Sequence, residues 1–382
     1  MIEPFLPPYS QSAVDDLRRR LQQTRWPETI FGAGSSLGVD REFLEDLCGY
    51  WMNTFNWKAQ LDRLSTLHHY RYKAKEGSVH LIYEKGTGPS SMPLILTHGW
   101  PGSFLEMLKI VPLLTHPAAH GHGPADSFDV VIPSLPGFGY SDKPAQLGMN
   151  FLRIAEIWVE LMGALGYERF AVQGGDLGAG VCTALGLRHS ERIIGIHLNY
   201  IPGSYHPYLP SGTKPSGSEE LFLASAAGWF DENGAYAHLQ GTRPNTPSYA
   251  LNDSPAGLAA WIVEKFRDWS DCDGDIYRIF TRDELLRNIT LYWMTETISS
   301  SFRFYHEVRK APLHFSADDF VHVPCGVAHF PKEIMFPPRE WVQRGYDVQH
   351  WTELLRGGHF AALEQPETLA ADIRDFFRTL RR

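Results

Sequence analysis

No stretch of eighteen apolar residues occurs in this chain, so no membrane-spanning helix is expected. No run of lysine and arginine occurs either. Its 35 basic residues face 44 acidic ones, and the resulting net charge of -9 argues against a nucleic-acid partner and reads as ordinary solubility. The opening residues, MIEPFLPPYS, show no basic stretch followed by an apolar one, so neither a secretory leader nor an N-terminal membrane anchor is expected. Cysteine is scarce: Cys48, Cys182, Cys272 and Cys325 lack paired spacing, which argues against a disulfide framework and a zinc site. The expectation is a soluble protein of the reducing cytoplasm that holds no metal and no cofactor. Neither serine nor cysteine stands at the centre of the glycine-flanked turn at 174–178, so the serine nucleophile of esterases has no seat there. What the chain does have is apolar residues at 43%, enough for a sizeable core over 382 residues. Aromatics reach 13%, which suits the lining of an apolar pocket as well as a core.

The first ninety residues read as helical and then extended. Ser12, three residues before Asp15, is the expected N-cap of a helix that places Val14, Leu17 and Leu21 on one face and ends by Pro27. A second helix is expected from Asp40, burying Phe43, Leu44, Leu47 and Trp51, and His69 to Glu84 alternates as one or two strands. From Met92 the pattern becomes strand–helix alternation. Strands are expected at Leu94–Leu96, Phe128–Ile132, Phe170–Val172 and Ile193–Leu198, with an amphipathic helix at Ile154–Leu165. Such alternation predicts an α/β fold, a mostly parallel sheet with helices on both faces. Residues 201–318 break the rhythm and read as a helical lid. The rhythm returns at Val321–Val323, continues at Asp347–Trp351 and closes with a helix from Pro366 to Leu380. The expected organisation is an N-terminal extension over 1–90, core over 91–200, lid over 201–318 and the rest of the core over 319–382.

Three glycine-flanked stretches carry candidate chemistry. Gly174-Gly175-Asp176-Leu177-Gly178 follows a strand directly and has small residues two before and two after its centre, as a strained strand-to-helix turn displaying a nucleophile requires. The centre here is Asp176. A glycine-rich turn that merely reverses the chain or binds ribose is the other reading of this stretch taken alone. His98-Gly99-Trp100-Pro101-Gly102 follows an earlier strand, where the amides of Trp100 and Leu177 would together hold a developing oxyanion; a plain turn around Pro101 fits it equally. Arg356-Gly357-Gly358-His359-Phe360 precedes the last helix and puts His359 where the base of an ordered nucleophile–acid–histidine set belongs. The acid must lie between them. Glu333 in Phe330-Pro331-Lys332-Glu333-Ile334 is the choice and Asp347 the fallback.

Taken jointly, HGWPG at 98–102, GGDLGAG at 174–180, LNDSPAGLAAWIVEKF at 251–266, SSFRFYHE at 300–307, FPKEI at 330–334 and RGGHFAALEQPE at 356–367 resemble the epoxide hydrolases of the microsomal and juvenile-hormone type. The resemblance spans nearly the whole chain and implies the α/β-hydrolase fold. It implies Asp176 as nucleophile, Glu333 as charge-relay acid and His359 as the base that activates water. It further implies two lid tyrosines that hold the epoxide oxygen, Tyr305 in SSFRFYHE and Tyr236 in the looser NGAYAHLQ. The extension before the core is similar to the extra domain of this subgroup, while the N-terminal membrane anchor of the mammalian relatives is not expected here.

The partners so implied are a small-molecule epoxide and water. A bulky, largely apolar substrate is expected: a xenobiotic, a juvenile-hormone-like lipid or a natural-product intermediate. A homodimer is the assembly expected. Two rivals share the fold. A haloalkane dehalogenase would favour a tryptophan at position 177, where Leu177 stands, and would leave the tyrosines without a task. A non-catalytic ligand-binding module would be expected to lack a triad member. Trp229, Phe230 and Trp261 are equally suited to line the pocket and to pack the lid. His120-Gly121-His122 lies in a Pro/Gly loop and reads as an exposed excursion. Asp271-Cys272-Asp273-Gly274-Asp275 has some look of a calcium loop, but its twelfth position is Arg282, so a solvated turn is expected.

Overall fold

The computed structural model describes residues 1–30 and 32–381. Among them runs one nine-stranded sheet in the order β1-β2-β3-β5-β4-β6-β7-β8-β9. The strands are β1 (Ile2–Pro4), β2 (His69–Ala74), β3 (Gly77–Glu84), β4 (Met92–Thr97), β5 (Phe128–Pro133), β6 (Phe170–Gly174), β7 (Ile193–Leu198), β8 (Val321–His329) and β9 (Tyr346–Glu353). β1, β2, β3 and β5 pair antiparallel in succession, and every pairing from β5 to β9 is parallel. This is the α/β-hydrolase fold. β5 and β6 are buried along their whole length, as strands covered on both faces must be.

The helices are α1 (Gln11–Gln22), α2 (Arg41–Asn53), α3 (Trp57–Leu64), α4 (Val111–Thr115), α5 (Phe151–Ala164), α6 (Asp176–Arg188), α7 (Gly217–Asn233), α8 (Ala235–Thr242), α9 (Asn245–Leu251), α10 (Pro255–Asp268), α11 (Arg282–Thr295), α12 (Ile298–Lys310), α13 (Arg339–Gln343), α14 (Ala361–Glu364) and α15 (Pro366–Arg378). Successive side chains of a strand point to opposite faces. On β7, Ile196 meets α6 beside Gly186, while the next residue, His197, hydrogen-bonds Asp372 of α15. Helices therefore cover both faces of the sheet.

α7 to α12 form a continuous helical insertion between β7 and β8. The N-terminal helices dock on it. Arg20 of α1 pairs with Asp253 ahead of α10, Tyr50 Oη of α2 donates to Asp283 of α11 at 2.9 Å, and Gln60 of α3 donates to the same carboxylate at 3.0 Å. The extension thus braces the helices that roof the sheet.

Several local expectations shift. The N-cap of α1 is Ser10, whose hydroxyl accepts from the Ala13 amide, and Ser12 lies inside the first turn. The same helix stops at Gln22, ahead of Pro27, and the Gln23 amide caps it by donating to the Arg19 and Arg20 carbonyls. In α2, Leu47 and Trp51 are buried, whereas Phe43 and Leu44, nearer its first turn, are only half-buried. β1 and α3 went unforeseen; three residues are too few for alternation to show. Among the described residues, no helix is long and apolar enough to cross a membrane.

Candidate active site

Asp176 opens α6 directly after β6 and adopts a φ of 46°, a left-handed conformation rare for a residue with a side chain. The turn is closed by glycines for steric reasons. A Cβ on Gly178 would stand 2.0 Å from the Thr97 carbonyl oxygen of β4, and one on Gly174 would stand 2.5 Å from Gly178. The short turn lifts the Asp176 carboxylate above the ends of the parallel strands, where ligands bind in open α/β sheets.

The loop after β4 supplies the first partner. The Trp100 amide donates to Asp176 Oδ1 at 2.8 Å. Its loop is pinned on both sides. The His98 Nε2 accepts from the Leu135 amide at 3.1 Å, its Nδ1 lies 3.0 Å from the Gly99 carbonyl, and burial pulls the imidazole down to about 4, so it stays neutral. From the insertion, Asn288 Nδ2 donates to the Pro101 carbonyl at 2.8 Å and Tyr292 Oη to the Gly102 carbonyl at 2.7 Å. Leu177 follows Asp176 in the first turn of α6, but its amide makes no hydrogen bond to the carboxylate.

His359 supplies the second partner. Its Nε2 lies 3.3 Å from Asp176 Oδ2 and its Nδ1 lies 2.6 Å from Glu333 Oε1. Burial opposes a charged imidazole here, but the Glu333 and Asp176 carboxylates prevail and hold its pKa well above the ordinary value. The same Glu333 oxygen accepts the Ile334 amide at 2.7 Å, whereas its other oxygen is buried without a partner. Asp347 sits at the start of β9 and accepts from Gln349 instead, so the structure brings Glu333, and not the fallback, to His359.

Tyr236 of α8 and Tyr305 of α12 come together above this carboxylate, their ring centroids 5.9 Å apart. Trp100 organises them: its indole stacks on Tyr236 at 5.3 Å and meets Tyr305 edge-on at 5.7 Å. Burial raises both phenols, Asp176 raises them further, and each therefore remains a proton donor. Asp176, Leu177, Tyr236 and Tyr305 line one cavity of about 690 Å³, with Phe151, Phe230, Val308 and Met335 among its apolar walls. Of the three undecided aromatics, Phe230 lines this cavity. Trp229 packs on Phe230 and Trp269, and Trp261 donates to Gln240 within the insertion.

Some neighbours carried no readable signal. Tyr200 and Trp269 meet the His359 ring edge-on at 5.5 and 5.1 Å. Glu106 lines a small void with Asp176, Asn199 and His359, and burial pushes its carboxyl up to about 8. The Asp271–Asp275 stretch is a turn exposed at Asp273, Gly274 and Asp275. Its first residue departs from the expectation: Asp271 is half-buried and accepts the Gly357 amide at 2.9 Å.

The family described as "Epoxide hydrolase N terminus" matches residues 2–107, and the one described as "alpha/beta hydrolase fold" matches 92–237. Across 100% of its length the chain is 45% identical to a provisionally named epoxide hydrolase of Stigmatella aurantiaca, covering 86% of that protein. The chain belongs to the epoxide hydrolases. It is a hydrolase acting on an ether bond. A second epoxide hydrolase relative is "Epoxide hydrolase 1" of Sus scrofa, 36% identical over 99% of this chain and 89% of that one. Among solved structures, the juvenile hormone epoxide hydrolase from the silkworm Bombyx mori superposes with a TM-score of 0.87 at 28% identity, covering 100% of this epoxide hydrolase and 95% of that chain.

Proposed function

We propose that this epoxide hydrolase opens a bulky, largely apolar epoxide to a vicinal diol through an ester on Asp176. An Asp176 oxygen attacks an epoxide carbon, the strained C–O bond breaks, and the leaving oxygen takes a proton from Tyr305 or Tyr236. A carboxylate needs no deprotonation for this step, since its ordinary pKa of ~3.9 leaves it ionised at neutral pH. Water then adds to the carboxyl carbon of the ester while His359, oriented by Glu333, removes its proton. The Trp100 amide, already 2.8 Å from Asp176 Oδ1, stabilises the oxyanion, and the Leu177 amide joins it as charge develops. On collapse the departing alkoxide takes the proton that His359 removed from water and leaves as the diol, and the proton left on the regenerated Asp176 carboxyl group restores the phenol.

One observation carries this reading. A single carboxylate is held between the Trp100 amide and His359 while facing two phenols across an apolar cavity of a size that suits a drug-sized ligand. The test is to treat a His359→Gln variant with styrene oxide and weigh its peptides. The expected result is an added mass on the peptide containing Asp176, absent from Asp176→Asn. No adduct on that peptide sinks the ester mechanism, and chloride release from a chloroalkane without diol formation would move the reading to a dehalogenase.

A further inference from the structure

We propose that Glu364 and Asp271 are positioning residues that set His359 by clamping three of the four consecutive backbone amides around it, the fourth being held by the Trp269 carbonyl. The Gly357 amide donates to Asp271 Oδ2 at 2.9 Å, Gly358 to Glu364 Oε2 at 2.9 Å, His359 to the Trp269 carbonyl at 2.8 Å, and Phe360 to Glu364 Oε1 at 2.9 Å. The two carboxylates are tied to each other as well, because the Asp271 amide donates to Glu364 Oε2 at 2.8 Å. Trp269 and Asp271 follow α10 in the helical insertion, and Glu364 ends α14. The base is therefore held by the roof of the cavity, not only by the core.

The sequence explains why such a clamp is needed. Gly357 and Gly358 have no side chains with which to lock their own backbone. Gly358 must also stay bare, since a Cβ there would stand 2.6 Å from the Trp269 carbonyl oxygen. Conformation has to be imposed from outside, and amide-to-carboxylate hydrogen bonds are the stronger, charge-assisted kind. The clamp reaches the acid too: the Lys332 amide donates to the Gly357 carbonyl at 3.1 Å, one residue before Glu333. Burial pushes the Glu364 carboxyl up to about 7 against the pull of its three backbone donors. Glu364 is half-buried and forms no ion pair among the described residues, and those three amides are what its carboxylate serves.

This inference rests on the reading of His359 as the base for hydrolysis of the Asp176 ester. Under that reading a loosened clamp slows one half-reaction and spares the other, because alkylation uses Asp176 and the tyrosines. The experiment follows alkylation and ester decay separately by rapid quench and mass spectrometry, with styrene oxide, in Glu364→Gln, Glu364→Ala and Asp271→Ala. Misplacement by an ångström at a reacting group costs on the order of 100-fold. Expected are alkylation rates within about 2-fold of the parent. Ester hydrolysis should slow about 10-fold in Glu364→Gln and about 100-fold in Glu364→Ala. Asp271→Ala, which removes one acceptor of four, should fall short of both and decides the matter if the Glu364 variants do not fold. An equal fall in both half-reactions, or unchanged ester decay, overturns the clamp. A His359→Gln control keeps the two readings apart: an ester that builds up there but not in the clamp variants overturns the clamp alone. No ester on Asp176 in any variant overturns both.

Discussion

His359 Nε2 stands 3.3 Å from Asp176 Oδ2, so the proposed base and the proposed nucleophile are each other's charge partners before any substrate arrives. Glu333 holds the opposite side of the ring at 2.6 Å. The imidazole is thus flanked by two carboxylates, and in the proposed mechanism only one of them is consumed. Forming the ester removes the Asp176 charge, and with it part of what raises the His359 pKa. The base becomes readier to take a proton at the step that needs it.

That coupling has a measurable sign. His359 titrates above the ordinary imidazole value in the free enzyme because burial, which lowers it, is outweighed by Glu333 and Asp176. In Asp176→Asn one raising charge is gone, so its titration by NMR should move to lower pH. For the same reason, the acidic limb of ester hydrolysis in single-turnover experiments should lie below the free-enzyme titration. Identical His359 titrations in the parent and Asp176→Asn would refute the coupling.

Tyr305→Phe and Tyr236→Phe each remove one donor aimed at the cavity while keeping the ring that packs on Trp100. A hydrogen bond to a charged oxygen contributes ~1.5–3 kcal/mol, so each change should slow alkylation by about 10–100-fold. The double variant should lose more than either. Ester hydrolysis should be spared, because the leaving oxygen has already departed. Alkylation at the parent rate in both single variants would remove the tyrosines from the mechanism.

Gly178→Ala should destabilise the protein rather than merely slow it. The added Cβ meets the Thr97 carbonyl oxygen at 2.0 Å and its carbon at 2.6 Å, and both belong to the backbone of a central strand that cannot swing aside. Overpacking of this kind costs ~1–3 kcal/mol. Denaturant melts of the two proteins measure it, and coincident midpoints would contradict the steric account of the elbow.

Away from the site, Asp372 accepts from His197 at 2.8 Å and lies 2.9 Å from His350, with Thr352 also donating. Burial pushes this carboxyl up, but its hydrogen-bond partners prevail and hold it far below the ordinary range. A depressed carboxyl contributes stability that is present above its unfolded value of ~3.9 and lost as pH falls toward the folded one. His350, raised chiefly by Asp372, contributes in the opposite sense: fully below ~6.5, then fading as pH rises through its folded value. Asp372→Asn should cost ~3–5 kcal/mol at neutral pH, the usual loss when a buried pair is broken, and should flatten the stability decline below about pH 4. Unfolding curves between pH 3 and 8 test both, and an unaltered acid limb would show that the carboxylate is not the group responsible.

Much of this molecule can be read along the chain because the signals are local. Strand and helix periods come from the backbone, so the segments from β4 to β7 and the closing helix are visible in the spacing of apolar residues. The glycines around Asp176 mark a turn that only small residues can close, and the order of Asp176, Glu333 and His359 is a property of the chain. Elsewhere the chain leaves alternatives open. Glu333 and Asp347 both fall between Asp176 and His359 along the chain; the chain favours Glu333 without excluding Asp347, and the approach of the Phe330–Ile334 loop to residue 357 is what sets Glu333 against His359. Phe230 faces the cavity while neighbouring Trp229 packs on Trp269, a choice made by how α7 is turned. Asp271 looks like one more charge in a polar turn until the insertion folds back and sets it against Gly357, 86 residues away. Sequence thus determined which groups are available and which turns are sterically possible, because those depend on a residue and its near neighbours. Tertiary structure decided which groups meet, since hydrogen bonds act over about 3 Å and the chain must be packed before such distances exist.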